Sequence, residues 1–117
     1  MKKLLIHSQD YLRFISQADI TLCKSDNCYT SIFLVNGEEL VICKSLAKIS
    51  KEVDPEVFIR VSQSYLVNKN YIRSINKKKR SIELINHSQI QFTTTIKELL
   101  CLLGYKVALV CFILQTG

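Results

Sequence analysis

Branched aliphatic side chains restrict most strongly how this chain can fold. It contains 14 Ile and 8 Val but only 3 Ala, 3 Gly and 1 Pro. A β-branched side chain loses rotamer freedom in a helix and packs well on a pleated sheet. The chain has 117 residues, which is a usual size for one domain. We therefore expect a single, mostly β domain.

Short apolar runs separated by turn residues indicate the order of the strands. We expect a type I′ hairpin at Asn36 and Gly37, because both residues tolerate a positive φ. Ser45 and Thr95 are suited to cap two short helices, since apolar residues follow each of them at helical spacing. No internal repeat is apparent. The runs expected to be extended are residues 4–7, 11–16, 20–24, 29–35, 38–44, 58–67, 72–75, 81–85 and 89–93.

Positive charge is concentrated in one segment. Residues 57–82 contain seven basic and no acidic side chains, whereas the other 91 residues carry nine basic and ten acidic ones. If this segment folds onto one surface, its field suits phosphates or an anionic membrane. The run at 77–80 could equally be a solvated turn, and Arg60 could pair with a carboxylate inside the fold.

The cysteines and histidines indicate neither a metal site nor catalysis. Five cysteines, an odd number, with no secretory segment before them predict free thiols in the cytoplasm. Cys23 and Cys28 lack a second Cys/His pair at ligand spacing, so we expect no metal. No sequence pattern places a nucleophile or a carboxylate beside His7 or His87, and the chain contains no catalytic or nucleotide-binding motif. We expect a protein that is not an enzyme and needs no cofactor.

The C-terminal end is unusually apolar. Residues 99–114 are interrupted by Gly104 and Lys106 and are fewer than the roughly 20 that a membrane-spanning helix needs. We divide the chain into a domain at 1–104 and an apolar tail at 105–117 of unknown role. The tail is a candidate for packing or for docking a protein partner.

One segment carries a specific resemblance. The run Phe58-Ile-Arg60-Val-Ser-Gln-Ser64-Tyr-Leu-Val67-Asn68, followed by Ile72, resembles the signature Phe-x-Arg-x-His-Arg-Ser-x-x-Val-Asn of the LytTR family of bacterial DNA-binding domains. Asp19-Ile20 with Asn27-Cys28-Tyr29-Thr30, Lys44-Ser45-Leu46 and Gln91-Phe92-Thr93 resemble further family stretches in the same order.

The resemblance implies an elongated fold of short antiparallel sheets and hairpins with one or two short helices. It implies a sequence-specific transcriptional regulator that inserts loops into successive major grooves of double-stranded DNA, with two copies on paired half-sites as a further expectation. The 117 residues hold no receiver domain of the kind that often accompanies such domains. Control is then expected from abundance, dimerisation or a partner.

The resemblance also implies where DNA is contacted, and this sequence differs there. The family's His-Arg pair is Ser62-Gln63 here, and its Ser-Arg-Arg is Thr93-Thr94-Thr95. Arg reads guanine with a bidentate fork, whereas Gln matches adenine and Thr touches a thymine methyl or a phosphate. We expect a shifted or weaker base preference, with phosphate contacts from the basic run. The expected DNA-binding residues are Lys24, Asn27, Thr30, Arg60, Gln63, Lys69, Lys77, Lys78, Lys79, Arg80, Thr94 and Thr95.

The missing arginines and the apolar tail also support an alternative. In this alternative the chain is a degenerate LytTR-like module that docks a protein or a membrane through its C-terminal segment.

Overall fold

The computed structural model of the chain describes residues 2–7 and 10–105. Within these residues it contains ten short strands and two short helices, so the expected mostly β class is confirmed. The elements are β1 (Lys3–His7), β2 (Leu12–Ser16), β3 (Ile20–Asp26), β4 (Tyr29–Leu34), β5 (Glu39–Ile42), α1 (Leu46–Glu52), β6 (Phe58–Arg60), β7 (Tyr65–Asn68), β8 (Ile72–Asn76), β9 (Ser81–Leu84), β10 (Gln89–Gln91) and α2 (Ile96–Leu102). Residues 106–117, and with them most of the apolar tail, lie outside the described residues.

The strands form three antiparallel sheets. β1 pairs with β2, a five-stranded sheet has the order β5-β4-β3-β7-β6, and a three-stranded sheet has the order β10-β9-β8. The molecule is elongated, with extents of 54 × 27 × 24 Å, as the resemblance implied.

The five-stranded middle sheet is buried on both faces. Side chains alternate along a strand, so neighbouring residues meet opposite layers. Phe58 and Leu66 belong to a core that also contains Leu4 and Ile49, whereas Ile59 belongs to a second core. The second core includes Val67, Ile82 and Leu99. The middle sheet thus separates a layer containing β1, β2 and α1 from a layer containing β8, β9, β10 and α2.

Both predicted helix caps are confirmed. The Ser45 side chain accepts a hydrogen bond from the Lys48 backbone N–H (3.2 Å), and the Thr95 side chain accepts one from the Glu98 N–H (3.1 Å). These bonds satisfy backbone donors that a helix start otherwise leaves unpaired.

The expected type I′ turn at Asn36 and Gly37 is wrong. Gly37 alone has a positive φ (92°), and its N–H donates to the carbonyl of Leu34 (3.0 Å). The Asn36 side chain instead accepts from the N–H of Glu38 (2.9 Å). The connection is a three-residue loop that ends in a left-handed residue, a common alternative for hairpins.

Residues 58–67 are not one extended run. β6 and β7 form a hairpin, closed by the Val61 N–H donating to the Tyr65 carbonyl (3.1 Å). The Ser62 hydroxyl accepts from the N–H groups of Ser64 (3.2 Å) and Tyr65 (3.1 Å). Serine side chains that bond the following backbone favour turns, which explains why the run bends here.

The expectation that the chain contains no repeat is also wrong. Residues 17–52, called the first unit, and residues 69–102, called the second unit, share one order of elements: a 3-10 turn, a hairpin, a third strand and a capped helix. From the second hairpin strand onward, equivalent residues lie 50 positions apart, as with the caps Ser45 and Thr95. Four of six residues are identical where Ser31-Ile-Phe-Leu-Val-Asn36 is equivalent to Ser81-Ile-Glu-Leu-Ile-Asn86, so this run could have revealed the repeat in the sequence.

Backbone bonds recur in both units. The Val35 N–H donates to the Asp19 carbonyl (2.8 Å), as the Ile85 N–H does to the Tyr71 carbonyl (3.0 Å). His87, with φ of 68°, occupies the left-handed position that Gly37 has in the first unit. The two units therefore share a backbone frame as well as an order of elements.

Asn68 links β7 to β3 within the middle sheet. Its side chain is fully buried, donates to the Ile20 carbonyl (3.0 Å) and accepts from the Asn70 N–H (2.9 Å). A buried amide is tolerated only when it is hydrogen-bonded, so this arrangement explains a polar residue in the core.

Candidate nucleic-acid interface

Hydrogen bonds to backbone carbonyls bring four predicted segments together. The Ser25 N–H donates to the Ser64 carbonyl (2.8 Å), and the Thr93 N–H donates to the Val61 carbonyl (2.9 Å). An Arg80 guanidinium nitrogen donates to the Thr94 carbonyl (2.5 Å). We call residues 24–30, 61–64, 77–80 and 93–95 the tip row, because these segments follow one another along one edge of the fold.

The first segment of the tip row is the end of the β3–β4 hairpin. Asn27 occupies a left-handed conformation (φ 56°), and the side chains of Lys24 and Asn27 are exposed. Thr30 is completely buried, and its hydroxyl donates to the Lys44 carbonyl (2.7 Å). The Thr30 side chain therefore fastens the hairpin to the end of β5, and it is not presented for a direct DNA contact.

The second segment is the β6–β7 loop, which carries Gln63. Arg60 is half-buried, and its guanidinium donates to the carbonyls of Ser62 (2.9 Å) and Gln63 (2.8 Å). Arg60 therefore binds the backbone of its own loop. Among the described residues, it neither pairs with a carboxylate nor stands as a free cation. Gln63 itself is exposed.

The third segment, 77–80, ends the β8–β9 hairpin with four cations. Lys77, Lys78 and Lys79 are exposed, and the Lys79 N–H donates to the Asn76 side chain (2.9 Å). Arg80 has a positive φ of 53°, and its guanidinium lies 4.9 Å from the centre of the Phe92 ring. Stacking on a ring and bonding a carbonyl hold Arg80 against the next segment.

The fourth segment connects β10 to α2. Thr95 is exposed and uses its hydroxyl to cap α2. The Thr94 hydroxyl oxygen is buried and has no hydrogen-bond partner within residues 2–7 and 10–105. The two threonines thus stand in the tip row, but their hydroxyls face the protein.

Comparisons with known proteins give the family and the fold. A sequence profile of the LytTr DNA-binding domain family matches residues 10–103. The chain belongs to the LytTR family. A solved structure described as the LytTr DNA-binding domain of a putative methyl-accepting/DNA response regulator from Bacillus cereus has a TM-score of 0.74. It is 16% identical, and the match covers 90% of this chain and 99% of that one. No curated protein matches the chain.

The family assignment makes this a DNA-binding domain, and LytTR is not a family of enzymes. Among the described residues there is no cluster of potential metal ligands, and none of their helices is long and apolar enough to cross a membrane. Cys23, Cys28, Cys43 and Cys101 are free thiols, as expected. Burial raises the pKa of Cys23 to about 12, so this thiol stays protonated.

Lys69 is not part of the tip row. It begins the 3-10 turn after β7, at the end of that strand opposite the 61–64 loop. It lines a cleft with Arg73, Leu100 and Tyr105. Lys69 lies near the start of β8, whereas residues 77–80 follow the end of that strand. The tip row therefore does not include Lys69.

The basic run of this LytTR domain is therefore divided among different tasks. Arg60 and Arg80 bond backbone carbonyls within the tip row, Lys69 lies at the opposite end of β7, and only Lys77, Lys78 and Lys79 offer free-standing charge at a tip. Within residues 2–7 and 10–105, no ion pair involves a basic residue of 57–82.

Sequence reasoning missed one member of the edge. The Thr30 bond places Lys44 beside the β3–β4 tip, at the position equivalent to Thr94 in the second unit. The signal that could have found it is the 50-residue offset between the two helix caps, since Lys44 and Thr94 each precede a cap.

Proposed function

We propose that this LytTR domain is a sequence-specific transcriptional regulator that inserts the segments of its tip row into successive major grooves of DNA. The observation that carries the proposal is the chain of hydrogen bonds that aligns these segments along one edge. The molecule is 54 Å long, which exceeds one turn of B-DNA at about 34–36 Å.

Within this proposal the residues have different tasks. Gln63 and Asn27 are exposed amides, suited to bidentate contact with adenine. Lys24, Lys77, Lys78 and Lys79 supply phosphate contacts, which carry affinity without sequence information. Arg60, Arg80 and Thr95 hold the segments in shape and are not base readers.

Base reading by Gln63 is tested by fluorescence anisotropy, on a site selected from a random DNA pool and on unselected DNA. Gln63→Ala should lose about 1–3 kcal/mol on the selected site and little on unselected DNA. Gln89→Ala is the matched control, because Gln89 is an exposed amide at the end of β9–β10 away from the tips. Equal losses on both DNAs would contradict base reading by Gln63.

Phosphate binding by the lysines is tested by the salt dependence of the same titration. Changing Lys77, Lys78 and Lys79 to Gln should make the slope of log affinity against log salt shallower by about 2.7, or about 0.9 per phosphate. An unchanged slope would remove the lysines from the interface. If the unmodified chain gives no selected sequence and no salt-dependent binding, the proposed function itself fails.

Two further parts of the proposal concern the setting. We propose that two copies bind paired half-sites, which the spacing of half-sites in the selected DNA and the mass of the complex would reveal. We also propose a cytoplasmic location, where chromosomal DNA is accessible and thiols stay reduced. Docking through the C-terminal segment is not proposed further, because that segment lies outside the described residues.

A further inference from the structure

Lys44 extends the edge that the tip row forms. Thr30 pairs with Ile42 across β4 and β5, so the chain beyond Ile42 runs beside the β3–β4 tip. The Thr30 hydroxyl then holds the Lys44 carbonyl at 2.7 Å. The hydrogen bonds give the order Lys44, residues 24–30, residues 61–64, residues 93–95 and residues 77–80. Lys44 and the three exposed lysines therefore stand at opposite ends of one row.

The two units support this position independently. In the second unit the Arg80 guanidinium holds the Thr94 carbonyl, as the Thr30 hydroxyl holds the Lys44 carbonyl in the first. Thr30 and Arg80 are 50 positions apart, and so are Lys44 and Thr94. The fold thus presents two equivalent positions on the same edge, and the first of them carries a cation.

The charge of Lys44 is already engaged by a replaceable partner. Its ammonium lies 2.9 and 3.1 Å from the two carboxylate oxygens of Glu52, on the last turn of α1. The side chains are 36% and 42% exposed. An exposed ion pair of this kind is weak and screened by salt, so an incoming phosphate can take the place of the carboxylate.

We propose that Lys44 is a second phosphate contact, at the end of the tip row opposite residues 77–80, and that Glu52 is its counterion in the free protein. This inference rests on the proposed function, because it assigns a further contact within the same interface. It also explains a cation at the position where the second unit has the neutral Thr94. Two anchors at the two ends would hold the intervening Gln63 against the groove.

Three single substitutions test the proposal in salt-dependent anisotropy titrations of the full chain. Lys44→Gln should make the salt slope shallower by about 0.9 and weaken binding about fivefold near 0.1 M salt. Glu52→Gln should strengthen binding severalfold, because it frees Lys44 and removes a negative charge near the DNA. Lys51→Gln, an exposed lysine on the last turn of α1, is the matched control and should leave the slope unchanged.

The two partners of the ion pair separate a binding role from a structural one. Lys44→Gln and Glu52→Gln both break the same ion pair, so a purely structural role would weaken DNA binding in both variants and lower their thermal stability alike. That outcome, or a change in slope no larger than that of Lys51→Gln, would overturn the proposal. If these variants behave like the unmodified chain while the lysine triple variant loses slope, the Lys44 inference fails and the proposed function stands.

Discussion

The first unit ends its central hairpin in Asn27 and Cys28, whereas the second ends the equivalent hairpin in three lysines and Arg80. In both units a side chain donates to the carbonyl of the residue before the helix cap. The donor is the Thr30 hydroxyl in the first unit and the Arg80 guanidinium in the second. The helix caps, the three-residue loops and the buried helix residues agree between the units. The frame is thus shared, and the differences collect at the tips.

This difference teaches where the chemistry of the domain resides. Loops held by a rigid scaffold can change residues without cost to the core, so binding residues collect on them. The second unit supplies dense charge, and the first supplies an amide and the Lys44–Glu52 pair. The two units share one backbone frame, but the side chains at their tips differ.

The largest effect should come from the buried helix residues that the units share. Ile49 and Leu99 are equivalent and completely buried, each in a different core. Ile49→Ala and Leu99→Ala should each lower the free energy of unfolding by about 2–5 kcal/mol, because each leaves a cavity. Urea unfolding measures both. If one variant lost less than about 1 kcal/mol, the two helices would not be equivalent in packing.

A smaller effect is expected at the polar link between β7 and β3. Asn68→Ala leaves the Ile20 carbonyl and the Asn70 N–H without their partner. We expect a loss of about 1–3 kcal/mol in urea unfolding. Asn70→Ala is the control, because Asn70 is exposed and should change stability little. Equal effects at the two positions would argue against a special role for the buried amide.

The three-residue loops allow a finer comparison. Gly37 has φ of 92°, and an added Cβ would meet nothing within 4 Å, so the backbone conformation alone opposes a side chain there. Gly37→Ala should cost about 1 kcal/mol, measured as a decrease in Tm. A stabilised variant would show that the loop relaxes to a negative φ, unlike its counterpart at His87.

The smallest expected effect is a pH dependence of stability that the loop of the first unit has and the loop of the second unit lacks. Hydrogen bonds from the Arg13 guanidinium hold the pKa of Glu38 below its ordinary value, and the equivalent residue in the second unit is the uncharged Ser88. A lowered pKa stabilises the fold above the ordinary glutamate pKa of about 4.3, and this contribution is lost as the pH falls through the lowered value. The stability difference between the unmodified chain and Glu38→Gln should be constant near neutrality and shrink below about pH 4.5. A difference that grows in acid would contradict the pairing.

Local chemistry explains which parts of the fold could be predicted from sequence. Ser45 and Thr95 begin helices because their side chains bond the nearby backbone, and alternation marks β9 and β10, so both are visible in short windows of sequence. The hairpin at 61–64 depends on bonds from Arg60 and Ser62, which a run of extended-chain residues does not reveal. The burial of Thr30 and the distance of Lys69 from the tips follow from strand pairing between remote segments. The repeat could have been found in the matching runs 31–36 and 81–86, but the equivalent residues after them differ and give no further signal.

The middle sheet has a consequence for how its strands find their alignment. In a sheet with one wet face, sliding a strand by one residue exposes its apolar side chains, and this cost selects the correct pairing. β6 and β7 have an apolar core on each face, so a slip by one residue moves their side chains from one core to the other. The hydrophobic effect therefore opposes the slip only weakly. The Asn68 amide donates to the Ile20 carbonyl of β3 (3.0 Å), and it can reach that carbonyl in only one alignment of β7 on β3. This bond therefore favours one offset between β7 and β3.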